Sequence, residues 1–481
     1  MTGSEPRQAA DDLRPLRSLW LQEALAGEED SPRLEGSLHA DVCVVGGGLT
    51  GLWTALRLKE LEPSLDVVLV ERDVCGSGAS GRNGGFVLSW WAKFALLERT
   101  VGTAEAVRLA RASSAGITEM KEFCAANGID AHFRHDGWLW TATSRAQIGA
   151  WEPTLARLEQ LGESPFERLT PEEVASRSGS PRHLAGVFEP AAATVHPGLL
   201  TRGLRRVAIE HGVRVFERSP MTSLERVSPP SVRTEHGVIK ADRVVLALNA
   251  WAGALRELRH ALTVVASDVI ATDPIPDRLR SIGWTDGTCI DDSRMLVNYY
   301  RTTLDGRIVL GKGGSGLSYR ARIGPAYEAR SPRAGELGRI LRWLYPQLAD
   351  VSVSVSWLGP IDRSPIGLPF FTRLGGREDV FAGAGYSGNG VGPSYLGGRV
   401  LASLALGRDD EWSQAGLVQS PVGRFPPEPI RYVGGVLVRS AVVRKERAED
   451  AGERTGRLAT WLASLAPPGL VPQGESRDGR P

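Results

Sequence analysis

The sequence predicts an α/β protein in two parts: a parallel-sheet domain built on a βαβ unit and a discontinuous antiparallel-sheet domain. Three observations lead there. Strand, glycine turn, helix and second strand follow one another over residues 40–71, the order of a βαβ unit. Buried-strand character returns at 241–249 and after Val380, so the first domain is assembled from separated pieces. Between those pieces, residues 262–357 alternate apolar and polar side chains, as strands with one wet face do.

Each element has its own signal. Residues 1–37 are charged and turn-rich, broken by Leu19-Trp20-Leu21, and read as an arm that docks by its tryptophan. Ala40–Val45 is a continuous apolar run suited to a strand buried on both faces. Leu49–Leu61 has helical apolar spacing, and Asp66–Val70 is a second buried strand ending at Glu71. Residues 98–175 read mostly helical, with Trp138–Trp140 a strand after the Asp136-Gly137 turn. A helix over 199–211 and a strand at Val213–Glu217 follow. In the alternating region, Met295–Arg301 and Arg307–Leu310 are the clearest strands. From Val380 a glycine-rich strand runs into a helix, and beyond 411 the chain turns proline- and arginine-rich.

Composition narrows the class. The chain has 481 residues, 42% hydrophobic and 23% charged, enough for two or three ordinary globular domains. A formal net charge of +1 gives no general drive toward nucleic acid or anionic lipid. Cys43, Cys75, Cys124 and Cys289 are far apart, and the eight histidines show no paired spacing; no metal site is expected, and reduced thiols are. The first residues lack the apolar core of a secretion signal, and no run approaches the about 18 to 20 apolar residues that span a bilayer. A cytoplasmic protein without membrane or nucleic-acid partners is the expectation.

The chemistry begins at Gly46-Gly-Gly-Leu-Thr-Gly51. Gly46, Gly48 and Gly51 form a GxGxxG between a strand and a helix, the Rossmann-like setting in which each glycine has a task. The first permits the turn, the second lets backbone approach a pyrophosphate, and the third lets helix and strand pack closely. Leu49 and Thr50 open the helix, whose free N–H groups and dipole favour phosphate. Glu71, at the end of the second strand, suits ribose hydroxyls and opposes the 2′-phosphate of NADP. These residues alone do not separate NAD from FAD.

Four segments do. Gly78-Ala-Ser-Gly-Arg-Asn-Gly-Gly85 after the second strand resembles a loop of the D-amino-acid oxidase-like FAD oxidoreductases, and its SGRNGG form is closest to the γ-glutamylputrescine oxidase branch. Ala241–Gly253, Tyr300–Gly311 and Phe381–Val391 match that family in order and spacing, over roughly residues 38–407. The resemblance implies a glutathione-reductase-like fold: an FAD-binding domain from 38–97, 195–261 and 358–410, a substrate domain from 98–194 and 262–357, and an extension over 411–481. It implies an FAD enzyme that oxidises a small primary or secondary amine or amino acid to an imine, with oxygen or another acceptor taking the electrons. Oligomeric state is left open.

The resemblance also distributes roles. Gly78, Ala79, Ser80, Arg82, Asn83, Gly84 and Gly85 would run beside the flavin, with Ser80 reaching a phosphate oxygen. Arg72 and Met221 would face adenine, and Ala250 and Trp251 the pyrophosphate. Gly388, Asn389, Gly390 and Val391 would sit at the flavin pyrimidine edge, at the start of a helix. Tyr299, Tyr300 and Arg301 lie on a substrate-domain strand; alternation turns Tyr300 away from the other two, leaving an aromatic and a cation for a carboxylate-bearing amine. Lys312 is placed near oxygen, and Trp90, Trp91 and Arg363 are further pocket candidates. Relatives tether FAD through a cysteine near the last segment or a histidine in the first loop. Residues 359–395 contain no cysteine, and Arg82 occupies the histidine position, so FAD should be noncovalent. An NAD-dependent dehydrogenase and an RNA-modifying flavoenzyme are the alternatives. Gly306–Gly313 lacks the final Ser or Thr of a P-loop, and neither Ser80 nor Ser387 completes a GxSxG.

Overall fold

Four consecutive buried residues, Val42–Val45, place Gly36–Val45 at the centre of a sheet with both faces covered. The computed structural model describes residues 16–28 and 31–468. In the first sheet the strand order is Phe370–Arg373, Val380–Ala384, Gly237–Leu246, Gly36–Val45, Val67–Val70, Arg214–Phe216. Along this order all neighbours are parallel except Phe370–Arg373, which pairs antiparallel with Val380–Ala384. Two short strands, Ser231–Arg233 and beyond it Ser223–Glu225, add antiparallel to Gly237–Leu246 off this path. Three chain regions thus meet in one sheet, as their shared apolar character requires. The helix Leu49–Leu61 packs on the helix Pro393–Ala405, and Gly398 permits that approach: a Cβ there would lie 2.6 Å from Cβ of Trp53.

The second sheet has the order Val353–Arg363, Thr263–Thr272, Ile308–Leu317, Asn298–Thr302, Cys289–Asp292, Trp138–Ala142, Ala185–Glu189, Glu167–Leu169. It is antiparallel apart from the pair formed by Cys289–Asp292 and Trp138–Ala142. Register fixes its faces. Tyr299 pairs with Asp291 on one side and Gly311 on the other, and Asp291 pairs with Trp140. Paired residues share a face, so Trp138, Asp291 and Tyr299 look one way, while Tyr300 and Lys312 look the other.

Two of the expected boundaries move. A division at residue 358 falls inside Val353–Arg363, which pairs with Thr263–Thr272 along its length before Arg363 bridges to Tyr386. That strand joins the sheets rather than ending one of them. The helix expected from Val391 begins at Pro393, because residues 388–391 form the turn that precedes it.

Both terminal regions are fastened to this frame. Trp20, on the short helix Leu19–Ala24, is buried and donates from Nε1 to Asn83 O at 2.8 Å. Arg17 makes two hydrogen bonds to Asp73, at 2.7 and 2.9 Å. The described part of the arm therefore docks on the 78–85 loop; the arm's first fifteen residues lie outside the described ones. In the extension, the helix Ile430–Asp450 packs on Ile308–Leu317, with Glu446 accepting from Leu296 N at 2.8 Å and Arg294 donating to Asp450. Among the described residues, no helix is long and apolar enough to cross a membrane.

Candidate active site

A single cavity of about 700 Å³ runs from the GxGxxG turn to the face of the second sheet that carries Tyr299. At its nucleotide end each glycine is forced by a contact. Gly46 has φ +113°, and a Cβ would lie 2.4 Å from Ala247 O, at the end of the neighbouring strand. A Cβ at Gly51 would meet Gly46 O at 1.9 Å, so helix and turn touch only because that side chain is missing. At Gly48 a Cβ would project to within 2.8 Å of Ser80 Oγ. Gly46 and Gly48 line the cavity with Leu49 and Thr50, whereas Gly51 lies behind them as the packing glycine.

Glu71 is buried and shapes this end. One carboxylate oxygen accepts from Gly47 N at 2.8 Å and the other from Asp73 N at 3.1 Å. Burial still raises its pKa, against the lowering effect of those two hydrogen bonds. Arg72 stacks over Trp251 at 5.1 Å, and both line the cavity with Met221. Ala250 does not: it is fully buried in the turn Asn249–Ala254, and its neighbour Asn249 lines the cavity instead. Asn249 has φ +47° and a buried Oδ1 without a hydrogen-bond partner. The residue that reaches the cavity is thus one position before the expected Ala250.

The 78–85 loop forms one wall. Ser80 Oγ accepts from Leu49 N at 2.9 Å, which caps the helix from outside and leaves the hydroxyl proton free for an acceptor in the cavity. Asn83 folds the loop: its Nδ2 donates to Ala79 O and Ser80 O, and its Oδ1 accepts from Gly85 N. Gly78, Ala79, Arg82 and Gly84 line the cavity as expected; Gly85 sits behind, next to Arg301. Arg82 spends its donors on carbonyls, Nε on Ser77 O at 2.7 Å and Nη1 on Tyr327 O and Leu358 O. It clamps the loop to the second sheet.

The opposite wall is the turn before Pro393. Gly388, Asn389, Gly390 and Val391 all line the cavity, and Asn389 Nδ2 donates to Ser89 O at 3.1 Å. Asp362 holds the preceding turn by accepting from Gly385 N at 2.5 Å, and its Oδ1 has no partner. Burial pushes its carboxyl up to about 7. Tyr386 OH accepts from Thr50 Oγ1 at 2.9 Å, tying this wall to the first helix.

The second sheet supplies the floor, and here the expectations divide. Tyr299 lines the cavity, its hydroxyl 2.8 Å from Ser267 Oγ and its ring crossing over Gly311. Burial raises its pKa to about 12, so it is a neutral phenol at physiological pH. Arg301 shares that face but does not line the cavity. It lies against Trp20 at 5.2 Å and beside Gly85, because the N-terminal arm occupies the space the cation was expected to offer. Tyr300 points the other way, its hydroxyl bonded to His183 and its ring packed with Trp284 and Tyr345. Lys312 is on that reverse face too, with Nζ donating to Leu296 O at 3.0 Å and Asn298 Oδ1 at 3.1 Å. Neither lines the cavity, for the reason that strand period is two. Trp90 and Trp91 are core residues, and Arg363 donates to Pro468 O.

Residues not anticipated complete the floor: Trp138, Asp291, Ser267, Ser89 and Lys93. Lys93 is buried, donates to Gly367 O at 2.8 Å, and is depressed to about 7 by burial and then by Arg363, with Asp362 opposing. Asp291 could have been suspected as a carboxylate inside the otherwise strand-like run Cys289–Asp292.

The fit to a dinucleotide rests on this geometry: three glycines closed to side chains, an acidic residue at the second strand's end, and an unpartnered Asn249 Oδ1. Comparison with known proteins defines the class. Residues 41–404 match the family of FAD dependent oxidoreductases designated DAO, and the chain belongs to that family. Its relatives include the γ-glutamylputrescine oxidoreductase of Escherichia coli, 30% identical over 409 residues that cover 83% of this chain and 92% of that one. A probable oxidoreductase, OrdL, of Haemophilus influenzae is 27% identical over 389 residues, 79% of this chain and 86% of that one. Glycine oxidase from Geobacillus kaustophilus has the same fold, with a TM-score of 0.65 at 21% identity, covering 79% of this chain and 98% of that one. Iminodiacetate oxidase from a Chelativorans species superposes at 0.61 with 21% identity, over 77% and 96% of the two chains. Neither the NAD-dependent reading nor RNA modification gains support from these relatives.

Proposed function

We propose that the protein oxidises a small primary or secondary amine or amino acid, with FAD bound noncovalently. The observation that carries this is the continuity of the cavity: the nucleotide cradle at Gly46–Glu71 opens without interruption onto a floor of Trp138, Asp291 and Tyr299. FAD, when bound, supplies the electron sink, accepting a hydride at N5 from the carbon beside the substrate nitrogen.

The chain's own residues do the rest. Glu71 would take the ribose hydroxyls, and Arg72 with Trp251 would cover the adenine. Gly48 N–H and the Ser80 hydroxyl, which Leu49 N already holds in place, would face the pyrophosphate as donors. Asn249 offers the acceptor that it lacks a donor for. Gly84 and Asn389, on opposite walls, would flank the ring, and the turn before Pro393 would favour negative charge beside it. Tyr299 and Trp138 give the substrate an apolar, water-poor surface, in which an amine loses its proton more readily than in water. Oxygen or another acceptor would take up the electrons.

Noncovalent attachment is supported by the lining itself, which contains no cysteine or histidine. The four buried, free cysteines support a reducing, cytoplasmic location. The test is anaerobic mixing of the FAD-loaded protein with a panel of amines and amino acids. Bleaching of the flavin's visible absorbance by at least one is expected; no bleaching by any would overturn the reading.

A further inference from the structure

The cavity floor carries a carboxyl group with an oxygen that makes no hydrogen bond and with no cation paired to it. Asp291 is 3% exposed, lines the cavity, and its Oδ1 makes no hydrogen bond. Its neighbour Asp292 faces the other way and is fully engaged, accepting from Arg294 Nε at 2.9 Å and Asn298 Nδ2 at 2.7 Å. Asp291 has no such cation. The Trp138 indole N–H opposes its raised pKa but does not reach hydrogen-bond geometry. Burial and the nearby Asp292 hold the carboxyl well above the ordinary range. A buried, unpaired acid is costly to ionise, and a positive ligand beside it would remove that cost.

The cations nearest this floor do not offer it a free charge from within the lining. Arg301, its Nε without a hydrogen-bond partner, is packed against Trp20 outside the lining, and Lys93 is tied to Gly367 O. A substrate carboxylate would find no free guanidinium here and would meet Asp291.

Resting on the amine-oxidation reading above, we propose that Asp291 is a specificity-determining residue that anchors a second, non-reacting ammonium group of the substrate. The preferred substrates are then diamines or other amines with an additional cationic nitrogen, rather than α-amino acids held by their carboxylate. The anchored nitrogen cannot be the reacting one, since hydride leaves only from carbon beside a neutral amine. Asp291 therefore fixes one end of the substrate and leaves the other free to lie against the flavin.

The experiment is calorimetric binding of two non-oxidisable probes, tetramethylammonium and acetate, to the FAD-loaded protein. Wild type should bind tetramethylammonium the more tightly. Asp291→Asn should weaken it tenfold or more and leave acetate no weaker, while Asp291→Glu, which keeps the charge, restores the preference for the cation. Tighter binding of acetate by wild type, or unchanged cation affinity in Asp291→Asn, overturns the proposal. If Asp291→Asn does not retain FAD, the wild-type preference decides alone. The two readings fail separately. Asp291-dependent cation binding without bleaching by any amine sinks amine oxidation and keeps the anchor. Bleaching by diamines with unchanged KM in Asp291→Asn sinks only the anchor.

Discussion

Replacing Gly46 and Gly48 by alanine, one at a time, separates what holds the fold from what holds the cofactor. Gly46→Ala places a side chain at φ +113° and a Cβ 2.4 Å from Ala247 O. The strained backbone costs about 1–3 kcal/mol, and the clash is with backbone at the end of a buried strand, so it cannot be relieved by a rotamer change. Together we expect a loss of about 3–4 kcal/mol in the cofactor-free protein. Gly48→Ala differs, because its φ is ordinary and its Cβ meets only the Ser80 hydroxyl, at 2.8 Å. Rotation of Ser80 relieves the contact at the cost of the cap on Leu49 N, about 1 kcal/mol. The new methyl group, however, stands where backbone should approach a pyrophosphate. FAD affinity should fall at least tenfold, about 1.4 kcal/mol. Urea denaturation of the apoprotein and equilibrium titration with FAD read the two effects independently. A Gly46→Ala apoprotein as stable as wild type, or a Gly48→Ala protein with undiminished FAD affinity, would contradict these two roles.

Other perturbations follow from single contacts. Arg82→Leu removes a buried guanidinium that serves three carbonyls, and should cost about 3 kcal/mol in urea denaturation while loosening FAD. His183 is buried against Tyr300, and burial lowers its pKa from 6.5 to about 4. Since the unfolded state then binds the proton first, stability present above pH 6.5 should be lost as pH falls toward 4, by about 3 kcal/mol in all. His183→Gln should flatten the pH dependence of urea midpoints across that window. Acid precipitation should leave all the flavin in the supernatant; colour retained in the pellet would contradict noncovalent binding.

How much of this was readable beforehand depends on the range of the interactions. The GxGxxG turn, Glu71 and the 78–85 loop are local patterns whose chemistry depends on neighbours in sequence, and they lie on the cavity or directly behind it. Asn249 was missed by one position because which residue of a tight turn faces inward depends on its φ. The floor was harder. Alternation along one strand separated Tyr300 from Tyr299, but only pairing with Gly311 and Asp291 puts Tyr299 on the cavity side and Lys312 on the reverse. Arg301 was on the correct face and still fails to reach the cavity, because Trp20 arrives from an arm nearly three hundred residues away. Lys93 and Trp138 come to the floor through packing between distant segments, which no local spacing encodes.

The most direct measurement is a stoichiometric one. The purified FAD-loaded protein is titrated under anaerobic conditions with a diamine that bleaches it, and the aldehyde product is counted against flavin reduced. Each equivalent of amine should reduce one equivalent of flavin and yield one of aldehyde, with FAD released intact on denaturation. Flavin that stays oxidised with every amine and amino acid offered, or that is reduced without formation of a carbonyl product, would contradict it.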